Sequence, residues 1–352
     1  MARFLPHNRA RTRLWLDLPL STAKLALPLE TMIVENSRTL PRLTSVLIGV
    51  YCLMSTSLLH AQASVIAVDL YNKKIHMAAS ADVKRPVGGI CMIATALVAL
   101  DWADTTKVSL GTLAIVPPIA EQIAGVNTIG LRAGDQVSLR DLIYASMMAS
   151  DNVAATTLAA FVGQDILSRR GKKGDPVGEF VDQMNKLAAR EGATKTRFTN
   201  PHGLENSRNV PYSTAADIAK ITLYALSRAP FKFYTDQKTR EIGLVRDGQR
   251  LVVALHNTNL LLGTGTIDGV KTGNTPRSGG CAVISEEHHG TVVKATDGKD
   301  IVYRHRMVVV VLGSADPFVE ASNILQQGWS IYDGWLNAGR PVQDKRELLP
   351  NY

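Results

Sequence analysis

Asp268-Gly269-Val270-Lys271-Thr272-Gly273-Asn274-Thr275 is the stretch on which the reading of the fold turns. Gly269–Thr272 reads as a short strand that ends on a lysine followed by small residues. It stands within a run of strand signals: Glu241–Val245, Arg250–His256, Cys281–Ser285 and Met307–Leu312. Near the other end, Ser64–Leu70 and Ile75–Ala79 flank Tyr71-Asn72-Lys73-Lys74, a hairpin pattern.

Between these groups the periodicity is helical. Gly89–Leu100 is apolar almost all round and predicts a helix buried on every side. Ser138 predicts an N-cap for a helix to Ala149, and Asn152–Phe161 a further helix. Ser168–Asp175 reads as a basic, Gly-rich loop, and Val177–Arg190 as an amphipathic helix stopped at Gly192. Asn200-Pro201-His202-Gly203-Leu204 is a turn, Ser213 the expected cap of a helix through Ala225, and Asp316–Leu336 a closing helix. Glu286–Arg306 predicts an exposed hairpin arm turning at Asp297-Gly298. Strands at both ends with helices between them define an α/β chain of the α+β type. An antiparallel sheet is closed by its first and last segments and carries a helical lobe.

The chain has 352 residues, 45% hydrophobic and 20% charged, enough for a substantial core. Its net charge is +8, and residues 1–63, with seven Lys/Arg against three Asp/Glu, carry half of that excess. No basic block points to nucleic acid. Leu43–Leu59 is an uncharged, mostly apolar run after Arg38 and Arg42, followed by Ala61-Gln62-Ala63. This reads as a secretory signal over residues 32–63, cut before Ser64; an uncleaved membrane anchor is the alternative. Residues 1–31 then form an extended leader, or a gene-calling artefact if Met32 is the start. Residues 64–336 form the folded domain and 337–352 a polar tail. Cys91 and Cys281 sit in apolar runs, as buried free thiols do. His288, His289 and His305 lack a carboxylate at ligand spacing, so no metal or cofactor is expected.

Lys271-Thr272-Gly273 and Ser150-Asp151-Asn152 resemble two of the three active-site motifs of the penicillin-binding D-alanyl-D-alanine carboxypeptidases. The resemblance extends over roughly Ser64–Gly328. It includes Lys84-Arg85-Pro86, Ile93-Ala94-Thr95-Ala96, Thr196-x-Phe198-x-Asn200-Pro201-His202-Gly203-Leu204 and Asn257-Thr258-Asn259. It implies the penicillin-recognising, serine β-lactamase-like fold and acyl transfer through a serine. In that chemistry Ser150 relays a proton, Asn152 positions the substrate amide, and Lys271 attracts the substrate carboxylate. Thr272 and Gly273 line the substrate, and Asn274 supplies an oxyanion N–H. A β-lactamase is disfavoured, because no Glu-x-x-Leu-Asn motif is present.

The third motif of the family, Ser-x-x-Lys, is broken. Gly89 stands at the nucleophile position and Met92 at that of its base. Ser21-Thr22-Ala23-Lys24 has the right form but precedes the signal. Cys91, two residues from Gly89, faces elsewhere on a helix and is expected in the core. The resemblance therefore implies a secreted, periplasmic or wall-facing pseudoenzyme. It would hold peptidoglycan stem peptides ending in D-Ala-D-Ala, and β-lactams non-covalently, and would meet a membrane only if the signal is uncleaved. Two alternatives remain: an active carboxypeptidase, using another nucleophile such as Ser150 or carrying a sequence error at Gly89 and Met92, and a relic that binds nothing.

Overall fold

The structure, a computed structural model, describes residues 63–123, 125–294 and 299–350. The expected leader, signal and Asp297-Gly298 turn lie outside the described residues.

Eleven strands are described: β1 (Ser64–Asp69), β2 (Ile75–Ala79), β3 (Arg85–Pro86), β4 (Leu113–Ile115), β5 (Gln136–Ser138), β6 (Tyr212–Ser213), β7 (Thr239–Arg246), β8 (Gln249–His256), β9 (Ile267–Thr275), β10 (Gly279–Lys294) and β11 (Asp300–Ser314). The helices are α1 (Met92–Thr106), α2 (Pro118–Glu121), α3 (Leu139–Ala149), α4 (Asn152–Arg169), α5 (Pro176–Arg190), α6 (Ala215–Ser227) and α7 (Pro317–Asn337).

The main sheet is antiparallel, in the order β2-β1-β11-β10-β9. First and last strands pair at its centre, from Ser64 opposite Leu312 to Asp69 opposite Met307. Both are apolar without alternation because both faces of the sheet are covered. Ile66, Val68, Val308, Val310 and Leu312 face the helical lobe, whereas Val65, Ala67, Met307, Val309 and Val311 face α7. The lobe is built round α1, whose Met92–Leu100 segment is buried throughout. Together with the turn before it, the segment Gly88–Thr106 is long and apolar enough to suit a membrane span, but here it is the buried core of the lobe.

Several boundaries differ from the sequence reading. The helix expected from Gly89 starts as a 3-10 turn, Gly88–Cys91, with Gly88 at φ +49°, and becomes α-helical at Met92. The helix from Asn152 runs to Arg169, which shortens the basic loop to Arg170–Asp175. Thr214, not Ser213, caps α6: its hydroxyl accepts from Asp217 N at 3.0 Å. Ser213 belongs to β6, where it pairs with Arg85, and its hydroxyl meets Thr196 Oγ1 at 2.7 Å. Either residue type can cap, so the sheet pairing decides between them. Strands β7 and β8 leave the main sheet and join β4 and β5 in a second, four-stranded one.

Beyond the sheet β10 and β11 continue as a two-stranded ribbon, with Val292 opposite Val302 and Lys294 opposite Asp300. The arm is exposed only in part. His305 and Arg306 at its base are buried; His305 Nδ1 bonds to the Tyr332 hydroxyl, and Arg306 pairs with Asp268. The polar tail does not hang free. Leu349 is buried, its N–H donates to Lys73 O at 2.8 Å, and Glu347 pairs with Lys74.

Candidate active site

The site lies where α3 meets α4, with the Gly88–Cys91 turn on one side and β9, an edge strand, on the other. Helix α3 ends at Ser150, which adopts a left-handed conformation (φ 56°, ψ 34°) and returns its N–H to Ala145 O. Asp151 then caps α4, accepting from Ala154 N at 2.8 Å and from Ile129 N at 3.2 Å. Burial raises the Asp151 pKa against the lowering effect of those N–H groups. This elbow turns Ser150 and Asn152 toward one cavity, and Asn152 N is anchored on Val126 O at 2.8 Å.

Strand β9 supplies the facing wall. Lys271 is 1% exposed. Its ammonium donates to Ser150 Oγ and, at 2.7 Å, to Thr272 O. Burial lowers its pKa to about 7, opposed only by the Cys91 thiol. Thr272 Oγ1 shares a hydrogen with Thr258 Oγ1 at 2.6 Å, and Thr258 N donates to Met148 O at 2.9 Å. Asn259 Nδ2 donates to Gly269 O at 2.9 Å. The Asn257-Thr258-Asn259 segment thus ties β9 to the end of α3.

Two glycines allow the parts to meet. A Cβ on Gly273 would fall 2.8 Å from Gly89 N and 3.0 Å from Ile90 N. One on Gly203, at φ +84°, would fall 1.8 Å from Gly88 O. Only backbones without side chains can approach so closely. The Asn200–Leu204 turn, bound to α1 through Thr95 Oγ1 to Pro201 O at 2.6 Å, therefore seats directly on the Gly88–Cys91 turn.

These elements enclose a cavity of about 590 Å³. The structure brings Gly89, Met92, Ser150, Asn152, Thr272, Gly273 and Asn274 together on its wall, with Lys271 immediately behind. A Cβ on Gly89 would stand 3.8 Å from Lys271 Nζ and 3.2 Å from Thr272 O. Position 89 thus points at the Lys271–Ser150 pair, and it carries no side chain. Met92 presents a thioether, which is a poor proton acceptor.

Sequence reasoning missed part of the wall. Gly125, Val126 and Thr128 come from a loop with no motif, and Pro317 and Phe318 from the start of α7. His202 was read only as a turn residue; buried, with a pKa lowered to about 4, it stands neutral on the wall. Cys281 also lines the cavity, but burial pushes its thiol up to about 11. Cys91 is wholly buried and its thiol is likewise pushed up. Both cysteines are free, and neither has the low pKa of a nucleophile. Among the described residues no three His, Cys, Asp or Glu side chains are grouped to hold a metal.

The D-alanyl-D-alanine carboxypeptidase family model matches residues 54–296, so the chain belongs to that family. It is 28% identical over 218 residues to a D-alanyl-D-alanine carboxypeptidase of Haemophilus influenzae, covering 60% of this chain and 47% of the relative. It is 29% identical over 228 residues to one from a Streptomyces species, covering 62% and 73%. Identity is also 29% over 232 residues to a D-alanyl-D-alanine endopeptidase of Escherichia coli, covering 64% and 66%. The match thus spans about half the length of the Haemophilus relative. A solved Streptomyces DD-transpeptidase superposes with a TM-score of 0.63 at 24% identity, over 76% of this chain and 96% of the other. The penicillin-recognising fold expected from the motifs is the observed one.

Proposed function

We propose that this domain binds the D-alanyl end of peptidoglycan stem peptides without turning it over. One observation carries the reading: Gly89 and Met92 occupy the cavity wall beside an otherwise assembled Ser150, Asn152, Lys271 and Thr272. A serine at position 89 would reach this cluster; glycine leaves no oxygen to attack and methionine no base. Loss of such a nucleophile costs about six orders of magnitude in a serine protease. What is left can still bind. Strand β9 lies at the sheet edge beside the cavity, where an extended peptide can align. Asn152 and Asn274 offer amides, and Val126, Leu204 and Phe318 offer apolar contact. Export, and a role at the wall as a holder of stem peptides or a regulator of an active relative, follow from the same reading.

The test is calorimetric titration of an acyl-D-alanyl-D-alanine tripeptide, with free D-alanine assayed in the same cell. Saturable heat with no D-alanine released is the expected result. Catalytic release of D-alanine would refute the reading, and no saturable heat would favour a relic.

A further inference from the structure

The β10–β11 ribbon stands at the opposite end of β10 from Gly280 and Cys281, which line the cavity. Two successive cross-strand pairs in the ribbon are apolar and therefore lie on opposite faces of it. Val292 and Val302 form one, at 58% and 61% exposure; Val293 and Ile301 form the other, at 46% and 41%. A projecting strand that is to stay alone in water usually carries charge at such positions. A flat partner would cover only one of the two faces. A bilayer would first have to take in the Lys294–Asp300 ion pair, one step nearer the turn, at a desolvation cost.

The edge of the ribbon offers another route. Strand β1 covers β11 only as far as Leu70, whose N–H donates to Arg306 O at 2.9 Å. Among the described residues no strand pairs with the outer edge of β11 from Asp300 to His305. Because Arg306 turns its carbonyl to that edge, strand alternation turns the N–H and C=O groups of Arg304, Val302 and Asp300 to it as well. The extra residue between His288 and Thr291 belongs to β10, so β11 keeps its alternation. Arg304 and Arg306 accordingly both reach Glu287, as residues on one face should.

The sequence along this edge, Asp300-Ile301-Val302-Tyr303-Arg304, complements itself when reversed. Two copies set antiparallel about Val302 place Asp300 opposite Arg304 and Ile301 opposite Tyr303, each twice over, with Val302 opposite itself. Every N–H and C=O of the outward-turned Asp300, Val302 and Arg304 then finds a partner. Centring on Ile301 would set Asp300 opposite Val302; centring on Tyr303 would set it opposite Arg306, which Asp268 and Glu287 already hold. Asp300 and Arg304 now pair with Lys294 and Glu287 on their own ribbon, but these are exposed pairs that contribute little in water and can be shared. We propose that two copies of this chain associate edge to edge through Asp300–Arg304 of β11, antiparallel about Val302, and join their ribbons into one four-stranded sheet. Val292 and Val302 of both copies then form a single apolar row across it. The association does not depend on what the cavity binds.

The experiment is disulfide trapping in the full chain, with sedimentation velocity over a concentration series beside it. Opposed residues of a hydrogen-bonded antiparallel pair have Cα atoms about 5.5 Å apart, within disulfide reach. Val302→Cys should therefore cross-link to its own copy under mild oxidation, at concentrations where the wild type sediments as a dimer. Val292→Cys, similarly exposed but kept from its counterpart by the two β11 strands, should not. Asp300→Arg sets like charges opposite each other twice and should raise the dimer dissociation constant roughly ten-fold. Adding Arg304→Asp restores opposite charges and should restore the dimer. A monomer at every concentration, cross-linking at position 292 as readily as at 302, or no rescue by the double reversal overturns the inference. A monomer that floats with phosphatidylglycerol vesicles also overturns it and would give the apolar pairs to a membrane.

Discussion

Lys271→Met isolates the buried ammonium on which the site's electrostatics depend. Lys271 is wholly buried, and its pKa falls from the ordinary 10.5 to about 7. In the unfolded chain the amine stays protonated until about pH 10. Between the two values the unfolded chain holds the extra proton, so stability rises with pH. The contribution is fully present above 10.5 and is lost as pH falls through 7. Each pH unit inside the window is worth about 1.4 kcal/mol. Flattening near pH 7 leaves a change on the order of 3 kcal/mol between pH 6 and pH 9. Methionine is unbranched and of similar length, so it fills the same space with no proton to lose. Urea unfolding of both proteins at pH 6, 7, 8 and 9 gives the readout, and groups common to both cancel in the difference. Wild-type stability minus that of Lys271→Met should grow by on the order of 3 kcal/mol from pH 6 to pH 9. Parallel profiles would mean that Lys271 keeps its charge in the fold and would refute the argument from its burial.

Other substitutions probe the scaffold. Gly203→Ala drives a Cβ to 1.8 Å from Gly88 O and should cost about 3 kcal/mol or more, read as a fall in thermal midpoint. Asp151→Ala removes the α4 cap and two N–H acceptors; a loss of about 1–2 kcal/mol in urea unfolding is expected. Gly273→Ala should push the Gly88–Cys91 turn off β9 and abolish peptide binding in calorimetry while the far-ultraviolet circular dichroism stays unchanged.

The parts of the fold legible in the sequence were those with local physical signatures. The cap at Ser138 sits where the sequence puts it, because a short polar side chain before an apolar run has few other uses. The central strands announced themselves through unbroken apolar runs. The second sheet did not. Strands β4 and β5 have three residues each, and Leu113 and Ile115 are exposed, so neither period nor burial marks them. Without those two strands, β7 and β8 had no visible partner but the main sheet. His305 was assigned to an exposed arm because nothing local reveals that Tyr332, 27 residues on, covers it.

The site was legible as a set of motifs and illegible as a charge distribution. Ser150 and Lys271, 121 positions apart, meet as their motifs suggest. That the lysine is sealed behind the wall, and that Glu205 rather than a cation holds Thr275, depends on packing between segments that share no local pattern. The two marks Ile93–Ala96 and Thr196–Leu204 prove to be one feature: Thr95 holds the Pro201 carbonyl, which keeps Gly203 against Gly88.

On the proposed reading, an assembled family cavity lacks only an attacking oxygen and its base. Covalent labelling by a fluorescent penicillin, read by intact mass, decides between that and an active site. The protein from Ser64 onward is compared with the Gly89→Ser, Met92→Lys double variant. The double variant alone should gain the mass of one penicillin. A labelled wild type would contradict it and would show that another side chain of this cavity attacks.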